Sequence, residues 1–454
     1  MKIPFTFLAI TALFAFSPSA LSQGKGDPEF RDFVGSNGKT IQAILVDKSD
    51  EKAKAILKMK NGQRVVIDYD KLSAGDQDFV KKWSKERAVF LEQCVGLTVR
   101  ELLELRGYES FTFRLDNNSM IVEGKLNGHP AKFLIDTGAH ASVLHVQSAR
   151  NMDCTVGEMD QKIRGIGGEA PAAWTDVSEI RLGESVIRNQ RLLSADLMKD
   201  RPEGSRQMED AIFGAEFLTQ LRAVISYKEG RIFLRPDLAG GDGEVEKVPE
   251  FRLFKTLNGK TYKGNVSEKS RSAVKIVTED GNESQISISS LSEADQEYID
   301  DWSPQRATFL KYCRGLTVED LLELRSYESF EYERRGNHIY VDGLLNETDT
   351  TFMIDTGAQT TVLHINTARE TGCEVGPLDQ VIYGVGGEAP AAITKVKLIK
   401  LGTADITNRS LISADLFKDQ SGKPGFGAIF GADFMRELNG VITYRESRIF
   451  LRQD

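Results

Sequence analysis

Phe133-Leu134-Ile135-Asp136-Thr137-Gly138-Ala139 and Phe352-Met353-Ile354-Asp355-Thr356-Gly357-Ala358 are the two stretches on which the reading of this chain turns. In each, an apolar triplet reads as a buried strand that delivers an aspartate to its end, where the carboxylate is held partly away from water. A glycine two places later lets the backbone turn tightly and bring its N–H near the carboxylate. The threonine between them offers a hydroxyl for bracing. Ser142-Val143-Leu144 and Thr361-Val362-Leu363 follow as further apolar strands. One Asp-Thr-Gly on its own reads as a strand-ending turn, so its recurrence in the same setting is what makes it informative.

The recurrence is part of a larger one. Gly96–Phe111 and Gly315–Phe330 are identical at 13 of 16 positions, at an offset of 219 that also relates Trp83 to Trp302, Cys94 to Cys313, Asp136 to Asp355 and Gly165 to Gly384. After Asp196 and Asp415 two residues drop out, and Phe213 pairs with Phe430 and Tyr227 with Tyr444 at an offset of 217. The chain is two copies of one long unit, a feature that has to be found before any fold is assigned.

Each unit divides in two. From Asp27 to Trp83, short stretches such as Thr40–Leu45 and Arg64–Ile67 alternate with the turn signals Asn37-Gly38 and Asn61-Gly62, which predicts a small antiparallel barrel. Ser73-x-x-Asp76 opens a helix carrying Phe79, Val80, Trp83 and Phe90, and Thr98-x-x-Glu101 opens a second with Leu102, Leu103 and Leu105. These helices read as connectors, with Glu101, Glu104 and Arg106 on a solvated face. From Phe111 to Arg235, and again from Phe330 to Arg452, short apolar strands and glycines dominate.

Two further features recur behind the aspartates. About thirty residues on stand Gly165-Ile166-Gly167-Gly168 and Gly384-Val385-Gly386-Gly387, and later Ala211-Ile212-Phe213-Gly214 and Ala428-Ile429-Phe430-Gly431. Aspartate loop, glycine-rich hairpin and apolar-Gly segment, in this order and twice, resemble the lobes of retropepsin-like aspartic proteases. The resemblance implies a hydrolase, an endopeptidase in which Asp136 and Asp355 are catalytic. Thr137, Gly138, Thr356 and Gly357 would support the loops, the two threonine hydroxyls bracing them against each other. Gly165, Gly167, Gly168, Gly384, Gly386 and Gly387 would form mobile flaps. Such chemistry needs two carboxylates sharing one proton. A single lobe supplies one, and the duplication supplies both in one chain. Pairing of the lobes within a chain is preferred on effective concentration, while pairing between chains stays open because a second barrel separates the lobes. The family's acidic residue after Asp-Thr-Gly-Ala is replaced by His140 and Gln359.

The barrel segments resemble the SH3-like Sla homology domain of fungal endocytic adaptors, on Phe30-Arg31-x-Phe33, Gly38-Lys39, Ala43 and Leu72-Ser73-x-x-Asp76-Gln77, and on Phe251-Arg252-x-Phe254, Gly259-Lys260 and Leu291-Ser292-x-x-Asp295-Gln296. This implies a module that binds a short peptide or serves as a spacer. The expected organisation is mainly β: a signal peptide at 1–22, SH3-like barrels at 27–83 and 249–302, helical connectors at 84–110 and 303–329, and retropepsin-like lobes at 111–237 and 330–454.

The remaining signals bound the setting. Lys2, the apolar run Ile3–Phe16 and the small residues around Ala20 and Ser22 have the layout of a secretory signal, so an exported, periplasmic or extracellular protein is expected; an uncleaved anchor is the alternative. No later segment is long and apolar enough to span a bilayer. A net charge of -9 argues against nucleic acid as a partner. His129, His140, His145, His338 and His364 lack metal-ligand spacing, and neither metal nor cofactor is expected; His145 and His364, which recur, read as packing residues. For the cysteines the repeat favours Cys94 with Cys154 and Cys313 with Cys373, with buried thiols as the alternative. The expected partner is a protein or peptide substrate. The rival function is a non-catalytic peptide-binding or adaptor protein on the same fold, against which both Asp-Thr-Gly triplets are intact.

Overall fold

The computed structural model describes residues 30–165, 168–183, 185–197, 209–235, 251–384, 387–402, 404–416 and 425–452. The expected signal peptide, 1–22, lies outside them. Residues up to Ala88 form one compact unit and those from Val89 onward another.

In the first unit, strands Arg31–Val34, Thr40–Ser49, Lys54–Met59 and Arg64–Asp68 pair antiparallel in chain order. Its hairpins turn at Gly38 and Gly62, both with positive φ, as the Asn-Gly signals predict. Phe33, Ala43, Leu57, Leu72 and Val80 fill the core. The motif residues are structural here. Asp76 is buried, and its carboxylate accepts from Arg31 Nη2 at 2.5 Å, Val34 N at 2.7 Å and Ser73 Oγ at 2.9 Å. Gln77 Nε2 donates to Leu72 O at 3.0 Å. Together they fasten helix Ala74–Lys82 to the sheet. That helix stops at Trp83, whose ψ of 139° is extended, and the Ser84 hydroxyl accepts from Arg87 N to start another, Lys85–Val89. The single helix expected to reach Phe90 is therefore two, because Ser84 caps a new start.

The second unit begins with the connector and contains both β lobes and the second four-stranded sheet, Arg252–Lys255, Thr261–Lys269, Ala273–Thr278 and Glu283–Ser287. There Asp295 takes the place of Asp76, accepting from Arg252 at 2.9 Å and Lys255 N at 2.7 Å. Pro304 at the first turn of helix Pro304–Tyr312 separates it from Glu293–Asp300.

Each lobe is a nine-stranded sheet of the same order. In the first, strands run Thr155–Val156, Gly168–Leu182, Ser185–Ala195, Val143–His145, Ala211–Phe213, His129–Ile135, Ser119–Leu126, Arg114–Asp116, with Gln161–Gly165 folded against Gly168–Leu182. The fold is mainly β, with two such lobes in tandem. They share a six-stranded sheet in which each half places three strands: Glu109–Thr112, Arg231–Leu234 and Val224–Ser226, then Val441–Thr443, Arg448–Leu451 and Glu328–Glu331. The halves meet where Ile225 pairs with Ile442, equivalent residues of the repeat, so a pseudo-two-fold axis passes between them.

Strand alternation gives this sheet two apolar faces. Ile225, Ile232, Ile442 and Ile449 join the lobe core, while Val224, Phe233, Val441 and Phe450 pack on Val99 and Leu103 of helix Val99–Leu105 and on Val318 and Leu322 of helix Val318–Glu323. Both helices open with a capping box, Thr98 with Glu101 as read from the sequence and, in the second half, Thr317 with Asp320. The connectors are more than links. Phe90, Cys94, Leu97, Leu102 and Leu105 form one cluster with Phe309, Cys313, Leu316 and Leu321 of the other half. The solvated face expected for Glu101, Glu104 and Arg106 is also corrected. Arg106 is buried and its Nη1 donates to Leu316 O in the other half, mirrored by Arg325 Nη1 to Leu97 O. Arg306, also buried, reaches Glu101 at 3.3 Å and Glu104 at 3.9 Å. The apolar positions flanking these charges face the second copy rather than water, and the charges follow them to that interface.

Candidate active site

Strands His129–Ile135 and Thr348–Ile354 carry Asp136 and Asp355 to the seam between the lobes. Each strand is buried because the apolar-Gly segment pairs parallel to it, Ala211 with Phe133 and Phe213 with Ile135, and in the second lobe Ala428 with Phe352 and Phe430 with Ile354. Asp136 N then donates to Phe213 O at 2.9 Å and Asp355 N to Phe430 O at 3.0 Å, which fixes where each aspartate leaves its sheet.

The two loops brace each other reciprocally. Thr137 N donates to Thr356 Oγ1 at 3.0 Å and Thr356 N to Thr137 Oγ1 at 2.9 Å. The hydroxyls in turn donate across the seam, Thr137 to Ile354 O at 3.0 Å and Thr356 to Ile135 O at 3.2 Å. Both threonines are fully buried, so these four bonds lie out of water, where a broken partner leaves a desolvated group at a cost of about 1–3 kcal/mol.

Each carboxylate is held by its own loop. Gly138 N and Ala139 N donate to Asp136 Oδ1 at 2.8 and 3.0 Å, and Gly357 N and Ala358 N to Asp355 Oδ1 at 2.8 and 3.1 Å. The glycines are needed for a reason different from the tight turn inferred above, since neither has a positive φ. A Cβ on Gly138 would lie 2.4 Å from Asp355 Cγ, and one on Gly357 2.4 Å from Asp136 Cγ. Each glycine is the space in which the opposite carboxylate sits.

Burial pushes the Asp136 carboxyl well above the usual carboxylate range, and the charge of Asp355 and the hydrogen bond to it push the same way; the two backbone N–H groups oppose them. Each carboxylate keeps its second oxygen, Oδ2, beyond the loop amides. Flap residues Gly165 and Gly168 face each other in the hairpin of Gln161–Gly165 and Gly168–Leu182, as do Gly384 and Gly387 in the second lobe. Gly167 and Gly386 lie outside the described residues.

Beside the aspartate loops the two halves differ. Asn337 Nδ2 donates to His140 O at 2.7 Å, and Asn118 Nδ2 to Gln359 O at 2.9 Å, so each half's hairpin turn holds the other's loop. On one side the His140 ring lies 5.8 Å from His338, His338 lies 6.3 Å from Tyr340, and Tyr340 lies 6.0 Å from Phe426. The equivalent positions on the other side are Gln359, Ser119, Ile121 and Glu209. Burial and the neighbouring His140 lower the His338 pKa, and the Gly138 backbone opposes them. A search for metal-ligand spacing passes over His338 and Tyr340; comparing the repeats position by position finds them. His145 and His364 instead accept from Leu197 N and Leu416 N through Nδ1 at 3.3 and 3.4 Å, bracing the chain within each lobe. Among the described residues no cluster of metal-binding side chains occurs.

Residues 122–217 match a family model described as "Aspartyl protease", and residues 341–437 match one described as "gag-polyprotein putative aspartyl protease". Two regions of the chain thus match aspartyl-protease family models. The four-stranded segments expected as SH3-like barrels, 27–83 and 249–302, fall outside both matches. Among solved structures, the EIAV protease complexed with the inhibitor HBY-793 is 27% identical over 22% of this chain and 86% of its own, with a TM-score of 0.18. No curated protein matches.

Proposed function

We propose that the chain is an aspartic endopeptidase whose two carboxylates, Asp136 and Asp355, act as one dyad within a single chain. The observation that carries this reading is the mutual fit of the loops, each glycine making room for the opposite carboxylate. One carboxyl keeps the shared proton. The ionised one takes a proton from a water lying between them as that water attacks the peptide carbonyl, while the protonated one donates to the carbonyl oxygen. The pair titrates as a unit, so neither role belongs to one residue. The domain matches support peptidase chemistry, and the paired threonines would hold the two carboxylates at a fixed separation. The leader-like residues 1–22 support export, and the barrels read as spacer or peptide-binding modules on their sequence resemblance.

The test is cleavage of a denatured protein or peptide mixture by the mature chain, with and without an aspartic-protease inhibitor. Asp136→Asn and Asp355→Asn should each lose activity by about 10²–10⁴-fold or more, since either change removes the acid–base partner. A mixture of the two variants should stay inactive. Substantial cleavage by either single variant would show that each lobe pairs with its twin in another chain.

A further inference from the structure

We propose that Cys94 and Cys313 form a disulfide that joins the two halves of the chain across their pseudo-two-fold axis. The two residues are equivalent in the repeat, and both are fully buried in the one cluster made by the connectors of the two halves. One turn before each, Phe90 and Phe309 meet edge to face with centroids 6.5 Å apart. Cys94 Sγ is 3.6 Å from the carbonyl oxygen of Gln305, in the helix that ends at Cys313, and the two thiols are in hydrogen-bond contact. Symmetry brings equivalent side chains together only at the axis, and these thiols lie there. Cys154 and Cys373, by contrast, pack against the lobe cores, each beside an asparagine of its own lobe, Asn127 at 3.4 Å and Asn346 at 3.2 Å. The sequence-based pairing of Cys94 with Cys154 and Cys313 with Cys373 is therefore replaced by one bond between repeats.

All four cysteines are thiols in this structure, so the bond needs an oxidant, and a disulfide of the glutathione or oxidoreductase class supplies it. One cysteine thiolate attacks the oxidant's disulfide, expelling one thiolate and forming a mixed disulfide. The second cysteine thiolate then displaces the other oxidant sulfur. Both protons pass to the departing thiolates, and the oxidant is reduced to two thiols. Because the folded cluster shuts both sulfurs away from solvent, the exchange takes place before the connectors close. In an oxidising compartment the bond forms on the way to the folded state and is then sealed in.

The test is to refold the full chain in a reduced–oxidised glutathione buffer, block remaining thiols under denaturing conditions, and map unreduced peptides. The expected product is one peptide pair, containing Cys94 and Cys313, that separates on reduction, with Cys154 and Cys373 recovered blocked. The urea midpoint of this protein should fall on reduction, whereas that of Cys94→Ala/Cys313→Ala should not respond. Recovery of Cys94 and Cys313 both blocked, or either linked to Cys154 or Cys373, would overturn the proposal. The readout is independent of peptidase activity.

Discussion

At the scale of single residues, the close approach of Asp136 and Asp355 depends on the absence of two side chains as much as on the presence of two carboxylates. Gly138→Ala puts a methyl where Asp355 Cγ stands, at 2.4 Å, and the loops cannot accept it without separating the carboxylates. The expected outcome is a folded protein, by circular dichroism, with cleavage reduced to the level of Asp136→Asn. The raised pKa of the Asp136 carboxyl gives a second prediction. Its folded-state pKa lies above the ordinary value of 3.8, so the stability linked to its proton is fully present below about pH 3.8 and is lost as pH rises through the folded value. Asp136→Asn stays neutral and has no such loss. Urea midpoints measured from acid to alkaline pH should therefore show the wild type losing ground to the variant as pH rises, and parallel curves would count against a retained proton. Activity should fall over the same rise, as the last shared proton leaves.

At the scale of elements, much was legible in the sequence where one segment carries its own signal. Asn-Gly turns, capping boxes and the apolar strands before each aspartate were all readable, because their causes lie within a few residues. The purpose of the connectors was not. Leu102, Leu105 and Phe90 are apolar in the usual helical spacing, and nothing local says that the surface they meet belongs to the other copy. The same gap misplaced Arg106, whose guanidinium donates to a carbonyl 210 residues away. Arg106→Leu should leave that buried carbonyl without its donor and destabilise the chain by about 1–3 kcal/mol. Phe90→Ala, in the same cluster, should cost about 3–5 kcal/mol. Urea unfolding of both variants checks these values, and an unchanged midpoint for either would mean the connectors do not bind the halves together.

At the scale of the whole molecule, the duplication places two different sets of side chains beside Asp136 and Asp355. A homodimer repeats every residue about its axis, whereas here His140, His338, Tyr340 and Phe426 stand on one side only. The shared sheet predicts what a half does alone. Residues 249–454 expressed separately expose strand Val441–Thr443, whose natural partner is its own equivalent in the repeat, so the fragment should dimerise through Ile442 against Ile442. Sedimentation should show a concentration-dependent dimer. A fragment that stays monomeric at high concentration would show that the repeats have diverged too far to substitute for each other.

The six-stranded sheet also sets a clock. A ribosome makes this chain in order, and the strand that receives Val224–Ser226, Val441–Thr443, emerges a whole repeat later. Until then the first aspartate has no partner and an apolar edge, Val224 and Ile225, has nothing to pair with inside its own half. Over that interval the nascent first half carries an unmatched aspartate loop and a sticky border. A late-arriving second aspartate and vulnerability to wrong partners are two sides of the same delay.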